Sequence, residues 1–267
     1  MLTQILVKNI KKIKSKNNNN KISWRQKSMI KIKSHDGPAR LGQLDDTITP
    51  TVIDYKSVKK AECVKMPYKI QEEIAEEYVK QTIELAKNEE NKDKYAVIQG
   101  AQYTDLRVKC AKELEKNGYT KLIFANSDEL LRNPKELLDI IIACRENLNA
   151  TTALYFPFAP TQMLAILTYI GIDIFDNSRA IYESQNNNLM TTTNVYPYEN
   201  YRIAEDILEE NINQLNFAIK EIQENIKNKT LRNLTEQKAA TSPEAMTLHR
   251  LLDKNHGDYL LKYTQLY

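Results

Sequence analysis

The sequence predicts an α/β protein built on a parallel sheet, with a short antiparallel β-meander before it and helices after it. Three observations carry that prediction. Between Tyr95 and Phe175, short apolar runs alternate with helical patterns at intervals of about 20 to 30 residues, the size of one βα unit, and consecutive βαβ units imply parallel strands with right-handed crossovers. Between Met29 and Ile53 the apolar runs are shorter and broken by turn residues. Beyond Leu208 the apolar residues step at helical spacing. A barrel and a doubly wound sheet both fit this order. Four clear units are too few for an eight-fold barrel unless flanking segments add strands.

Taken in order, residues 1–28 come first, with eight Lys or Arg, no Asp or Glu, and the tract Asn17-Asn18-Asn19-Asn20. Such a segment cannot bury a core and is expected to be a disordered basic leader. Met29 directly precedes a strand pattern and is the expected translation start; an RNA-seeking basic arm is the alternative. The domain proper is then 29–267, which carries 30 basic against 35 acidic residues. A mildly acidic domain must grip nucleic acid through a local patch or a partner.

Met29 to Ser34 alternates apolar and polar residues, as a half-buried strand does. His35-Asp36-Gly37-Pro38 is turn chemistry, and Arg40 to Leu44 and Ile48 to Ile53 complete the meander. Residues 56–70 have no regular pattern. Ile70 to Asn88 is helical, with acids early and Lys87 late, as the helix dipole prefers. Tyr95 to Gln99, Lys121 to Asn126, Thr151 to Phe156 and Ile172 to Phe175 are the strands of the parallel sheet. Thr104 to Asn117 (closed by Gly118), Pro134 to Asn147 (with Pro in its first turn) and Pro160 to Tyr169 are its helices. Leu208, Ile212, Leu215, Ile219, Ile222 and Ile226 form an apolar stripe, expected to dock on the domain; a dimer seam in a homo-oligomer is the alternative.

Composition narrows the function classes. Hydrophobic content of 42% with 27% charged residues is ordinary for a soluble protein, and no apolar run approaches a membrane span. Cys63, Cys110 and Cys144 are scattered and odd in number, which argues against disulfides and for a cytoplasmic setting. His35, His249 and His256 are equally dispersed, so no metal site is expected, and His249 and His256 fall in polar stretches expected to be solvated.

Ligands of parallel α/β sheets collect at the carboxyl ends of the strands. There Gly171-Ile172-Asp173-Ile174-Phe175-Asp176 places two carboxylates around one strand end. Gln99 and Asn126 end two neighbouring strands and point to the same crevice. Tyr155, Phe156 and Phe158 could stack on a base or form an apolar plug. Arg40 could reach a phosphate or simply occupy a turn, and Asp54 and Tyr55 are weaker pocket candidates.

Ser34-His35-Asp36-Gly37-Pro38-Ala39-Arg40-Leu41-Gly42 with Thr49-Pro50, Ile98-Gln99-Gly100 with Asp105-Leu106-Arg107, and the segment ending at Asp176 together resemble the tRNA-guanine transglycosylase superfamily. Phe124-Ala125-Asn126-Ser127-Asp128-Glu129-Leu130-Leu131 and Ala153-Leu154-Tyr155-Phe156-Pro157 bring the resemblance closest to its archaeosine synthase branch. The resemblance implies a TIM-barrel-like fold and tRNA as partner. Transglycosylases exchange guanine for a 7-deazaguanine through an aspartyl-ribose intermediate. Archaeosine synthases instead add a nitrogen nucleophile, lysine as co-substrate, to a cyano-deazaguanine already in tRNA. Carried across, Asp176 matches the catalytic aspartate and Gln99 the base-contacting glutamine. Asn126, Asp173 and Phe124 are further candidate substrate contacts read from their places at the strand ends, not from the resemblance. A carboxylate can attack a ribose carbon, and an amide can pair with a base edge.

Three departures argue against base exchange. There is no Asp-Ser-Gly-Gly-Phe-Gln segment for a second acid, Ala125-Asn126 replaces a glycine pair, and the zinc cysteines are missing. The branch also continues into a lysine-binding module and an RNA-binding PUA domain, whereas this sequence stops at Tyr267. The expectation is therefore a tRNA-modifying enzyme needing a partner subunit that carries those modules and no other cofactor. The alternative is a non-catalytic scaffold docking that partner through the Leu208 to Ile226 face.

Overall fold

The structure, a computed structural model, describes residues 29–200 and 206–263; the basic leader over 1–28 lies outside them. The meander is present. Strands β1 (Lys31–Asp36), β2 (Ala39–Leu44) and β3 (Thr47–Thr49) pair antiparallel in that order, and Gly37 at the first turn has φ +55°. The run expected as a single strand from Ile48 to Ile53 divides. Pro50 has no N–H to give a ladder, and beyond it β4 (Thr51–Ile53) leaves the meander for the parallel sheet.

That sheet has the order β4-β8-β7-β6-β5, with β5 at Ala96–Ile98, β6 at Lys121–Phe124, β7 at Ala153–Tyr155 and β8 at Ile174–Asp176. Its first strand thus lies beside its last. At the far edge Lys60 forms a parallel bridge with Tyr95. A flat sheet would hold Lys60 and β4 apart by five strand steps, about 24 Å. Only residues 54–59 join them, shortened by a 3₁₀ turn at Tyr55–Ser57, so the sheet is curled in the manner of a barrel. The α/β, barrel-like expectation holds.

Ten helices accompany the strands among the described residues: α1 (Glu72–Asn88), α2 (Thr104–Lys116), α3 (Ser127–Leu131), α4 (Pro134–Asn147), α5 (Thr161–Tyr169), α6 (Ser178–Gln185), α7 (Ile207–Asn228), α8 (Leu231–Ala239), α9 (Pro243–Asn255) and α10 (Gly257–Tyr263). A further hairpin pairs β9 (Asn188–Met190) with β10 (Val195–Pro197). Side chains alternate along each strand. Ala96, Ile98, Leu122, Phe124, Leu154, Phe156 and Phe175 join the main core beneath the helices. Val97, Ile123, Ala153, Tyr155 and Ile174 form a second, inner cluster with Ile30 and Leu44 of the meander.

The α7 stripe is buried at Leu215, Ala218, Ile219, Ile222 and Ile226 against α5, α6, α8 and strands β1, β2 and β4. This part of the stripe packs on the domain's own core, as expected, while Leu208 and Ile212 at its start are half-buried. The stripe of α9 corrects a second expectation. His249 lies with Ala245, Leu248 and Leu252 on the buried side, and His256 hydrogen-bonds Asp139 at 3.0 Å, so neither is simply solvated. Burial, and then the Arg232 charge, lower the His249 pKa below its usual 6.5. The unfolded chain therefore takes up a proton near pH 6.5 that the folded chain refuses. Stability from this group is full above that pH and is lost as pH falls through and below it. Melting temperature is expected to drop more steeply between pH 7 and pH 5.5 in the wild type than in His249→Gln, and parallel curves for the two proteins would refute this. No helix among the described residues is long and apolar enough to cross a membrane.

Candidate active site

Asp176 ends β8 and shares the inner face with Ile174, two residues before it. It is 2% exposed, yet both carboxylate oxygens have donors. Oδ2 accepts the Tyr155 hydroxyl. Oδ1 accepts the Ser178 hydroxyl and backbone N–H groups of Ser178 at 3.0 Å and Phe158 at 3.3 Å. The amino end of α6 begins two residues later, where its dipole favours a negative charge. Burial, and then Asp176 itself, push the Tyr155 phenol well above its usual range, so Tyr155 stays protonated and donates. Tyr95 packs edge-on against it at 5.5 Å. The carboxylate is thus held in one orientation by a rigid strand and a phenol.

Gln99 and Asn126 follow β5 and β6 at the same end of the sheet. Both reach the segment between β4 and α1. Gln99 Nε2 donates to the Val64 carbonyl at 2.9 Å, and Asn126 Nδ2 to that of Met66 at 3.3 Å. Their acceptor atoms, Gln99 Oε1 and Asn126 Oδ1, are buried without a partner. A buried acceptor left unpaired costs about 1–3 kcal/mol, and a ligand bringing N–H groups relieves it. Asn126 has φ +57°, a left-handed conformation that asparagine tolerates and that breaks the strand alternation.

Arg107 of α2 braces both residues from behind. Its Nε donates to Ala101 O at 2.7 Å and its Nη1 to Ala125 O at 3.0 Å and Ile98 O at 3.2 Å. Burial pushes its pKa down to about 10, which still leaves it charged at neutral pH. The Gly100 that separates Gln99 from this arginine has φ +147°, and a Cβ there would lie 2.7 Å from the Arg107 backbone nitrogen. Only glycine allows this approach.

The other expected contacts lie elsewhere. Asp173 precedes β8 at the opposite, amino end, about 10 Å along the strand from Asp176. It is 1% exposed, forms an ion pair with Arg40 and accepts Leu154 N–H at 2.9 Å. Arg40 is thereby buried rather than free in a turn. Phe124 is on the helix side of the sheet, tilted against Phe156 with ring centroids 6.2 Å apart. Phe158 is at the mouth beside Tyr182, at 5.4 Å, and beneath the Arg179 guanidinium, at 4.9 Å. Asp54 caps the 3₁₀ turn through Lys56 N–H, and Asn177 Oδ1 accepts the Tyr55 N–H at 3.1 Å.

Sequence reasoning missed Tyr155 as a partner of Asp176, as well as Ser178, Arg179 and Tyr182. The shared parity of Ile123, Tyr155 and Ile174 on paired strands is the signal that could have found Tyr155. Burial pushes the Cys110 and Cys144 thiols up to about 12, which leaves them unreactive. No group of three or more His, Cys, Asp or Glu among the described residues could hold a metal.

Residues 4–249 match the family described as queuine tRNA-ribosyltransferase. Over 198 residues, 70% of its length, the chain is 28% identical to the archaeosine synthase of Methanocaldococcus jannaschii, and it spans about a third (31%) of that relative's length.

Proposed function

Because the chain belongs to the queuine tRNA-ribosyltransferase family, we propose that its inner-face site receives a 7-cyano-7-deazaguanine already in tRNA and takes part in converting the nitrile to an amidine. The observation that carries this reading is the pair of unpartnered amide oxygens, Gln99 Oε1 and Asn126 Oδ1, at the same end of the sheet as a fully oriented carboxylate. A guanine-type base offers N–H donors along one edge, the complement of two unpaired acceptors. The archaeosine synthase relative supports the choice of product.

In the proposed reaction an amine nitrogen, from lysine, adds to the nitrile carbon. One C–N bond forms, no group leaves, and the proton given up by the amine ends on the former nitrile nitrogen. Asp176 orients the amine and takes up its proton in passing. Gln99 and Asn126 hold the base. Arg179 and the Phe158–Tyr182 pair at the mouth meet the tRNA backbone and its neighbouring bases, a cation beside stacking surfaces. The reaction as proposed also uses a lysine-binding module and an RNA-binding PUA domain, and in the test a candidate partner supplies them. The scaffold alternative would have to use surface other than the buried residues Leu215 to Ile226 of α7.

The test is to incubate the purified chain with tRNA carrying cyano-deazaguanine and lysine, alone and with a candidate partner, and to mass-analyse the nucleosides. A lysine adduct formed only when both chains are present is the expected result. No adduct, from a partner shown competent with another barrel domain, overturns the catalytic reading.

A further inference from the structure

At the amino end of the sheet, across the barrel from Asp176, lies a cavity of about 220 Å³ lined by Arg40, Arg145 and apolar side chains that include Ile32, Leu148 and Tyr263. We propose that it binds a small organic carboxylate, independently of the tRNA site. Both arginines are more than nine-tenths buried, and between them they touch one carboxylate. Arg40 pairs with Asp173 and also donates from Nη1 to Ala150 O and from Nη2 to Thr152 O at 3.4 Å. Arg145 donates only to carbonyls, to Thr152 O at 2.8 Å and to Asn149 O. Glu146 at the rim is engaged by Lys262 at 3.2 Å. One buried guanidinium charge therefore lacks a direct counter-charge, and Arg40 Nε is buried without a hydrogen-bond partner.

A buried charge is costly unless paired. The terminal nitrogens of both arginines already donate to protein oxygens, so a carboxylate would be held by the uncompensated charge and by sharing these donors, not by an open fork. The remaining wall is mainly apolar. The complement is a single negative charge on a small apolar body of about one ring. A phosphate fits less well, because it brings more charge and sets polar oxygens against Ile32 and Leu148.

The experiment is calorimetric titration of the full chain with benzoate, with its neutral isostere benzamide and with inorganic phosphate. One-site saturable binding of benzoate, and none of benzamide or phosphate, is expected. Ile32→Trp fills the cavity from an exposed strand and leaves both arginines in place; it is expected to weaken benzoate at least about tenfold with an unchanged melting temperature. Arg145→Met is expected to abolish binding where it folds. Absence of saturable binding to the wild type, benzoate affinity undiminished in Ile32→Trp, or saturable binding of phosphate in place of benzoate each overturns the proposal.

Discussion

Asp176→Asn is expected to reduce tRNA modification by about a thousandfold or more while leaving the fold in place. Groups that move a proton at the reacting centre contribute on the order of 10²–10⁴ in rate, and the amide can neither take the amine's proton nor balance its charge. The substitution is nearly isosteric, and its surroundings can adapt. The oxygen of the introduced amide can keep the donors now on Oδ1, from Ser178 and Phe158. The amide nitrogen can donate to a rotated Tyr155 hydroxyl, which serves as either donor or acceptor. Melting temperature should move by only a few degrees, and tRNA affinity should be nearly unchanged. Nucleoside mass analysis and a thermal melt on the same preparation decide the matter. Full modification by a folded Asp176→Asn protein would remove Asp176 from the chemistry.

Asp173→Ala should do the reverse and act through stability. Removing one partner of a buried ion pair costs about 3–5 kcal/mol, because the other charge stays buried. Here that charge is Arg40, with Arg145 nearby, so the loss leaves two buried guanidinium groups without a carboxylate in contact. Leu154 N–H also loses its acceptor. For a chain of this size the loss corresponds to a fall of roughly 6–20 °C in melting temperature, at about 2–4 °C per kcal/mol. Asp173→Asn retains an acceptor for Leu154 and should fall less. If Asp173→Ala melts with the wild type and loses only activity, the residue belongs to the substrate site after all.

These two aspartates show how far the sequence reaches. As carboxylates at the edge of an apolar strand they read alike, and only parity along the strand separates them. Asp176 is in phase with Ile174 on the inner face, whereas Asp173 is in phase with Phe175 on the other. The same rule places Phe124, in phase with Leu122, under the helices. Asn126 escapes it through its left-handed backbone, which nothing in its spacing announces. The helices were legible because Gly118 and Pro134 mark their ends, and His249 could have been read as buried from its i+4 spacing to Ala245 and i−3 spacing to Leu252. The division at Pro50 was not legible in the same way, since β4 finds its neighbour in a strand far along the chain. The barrel curl rests on that distant pairing too.

The β4–β8 pairing also sets a timetable for the protein's birth. Thr51 and Ile174 lie roughly 120 positions apart, and at about 5–20 residues per second a ribosome needs on the order of 6 to 25 seconds to make the interval. During that time β4 has no parallel neighbour, and its exposed edge is open to other nascent chains. The meander can form at once, because its contacts are local, but the carboxylate site cannot exist until β8 emerges. Slowed translation between β4 and β8 should therefore lower soluble yield more than an equal delay placed after Asp176.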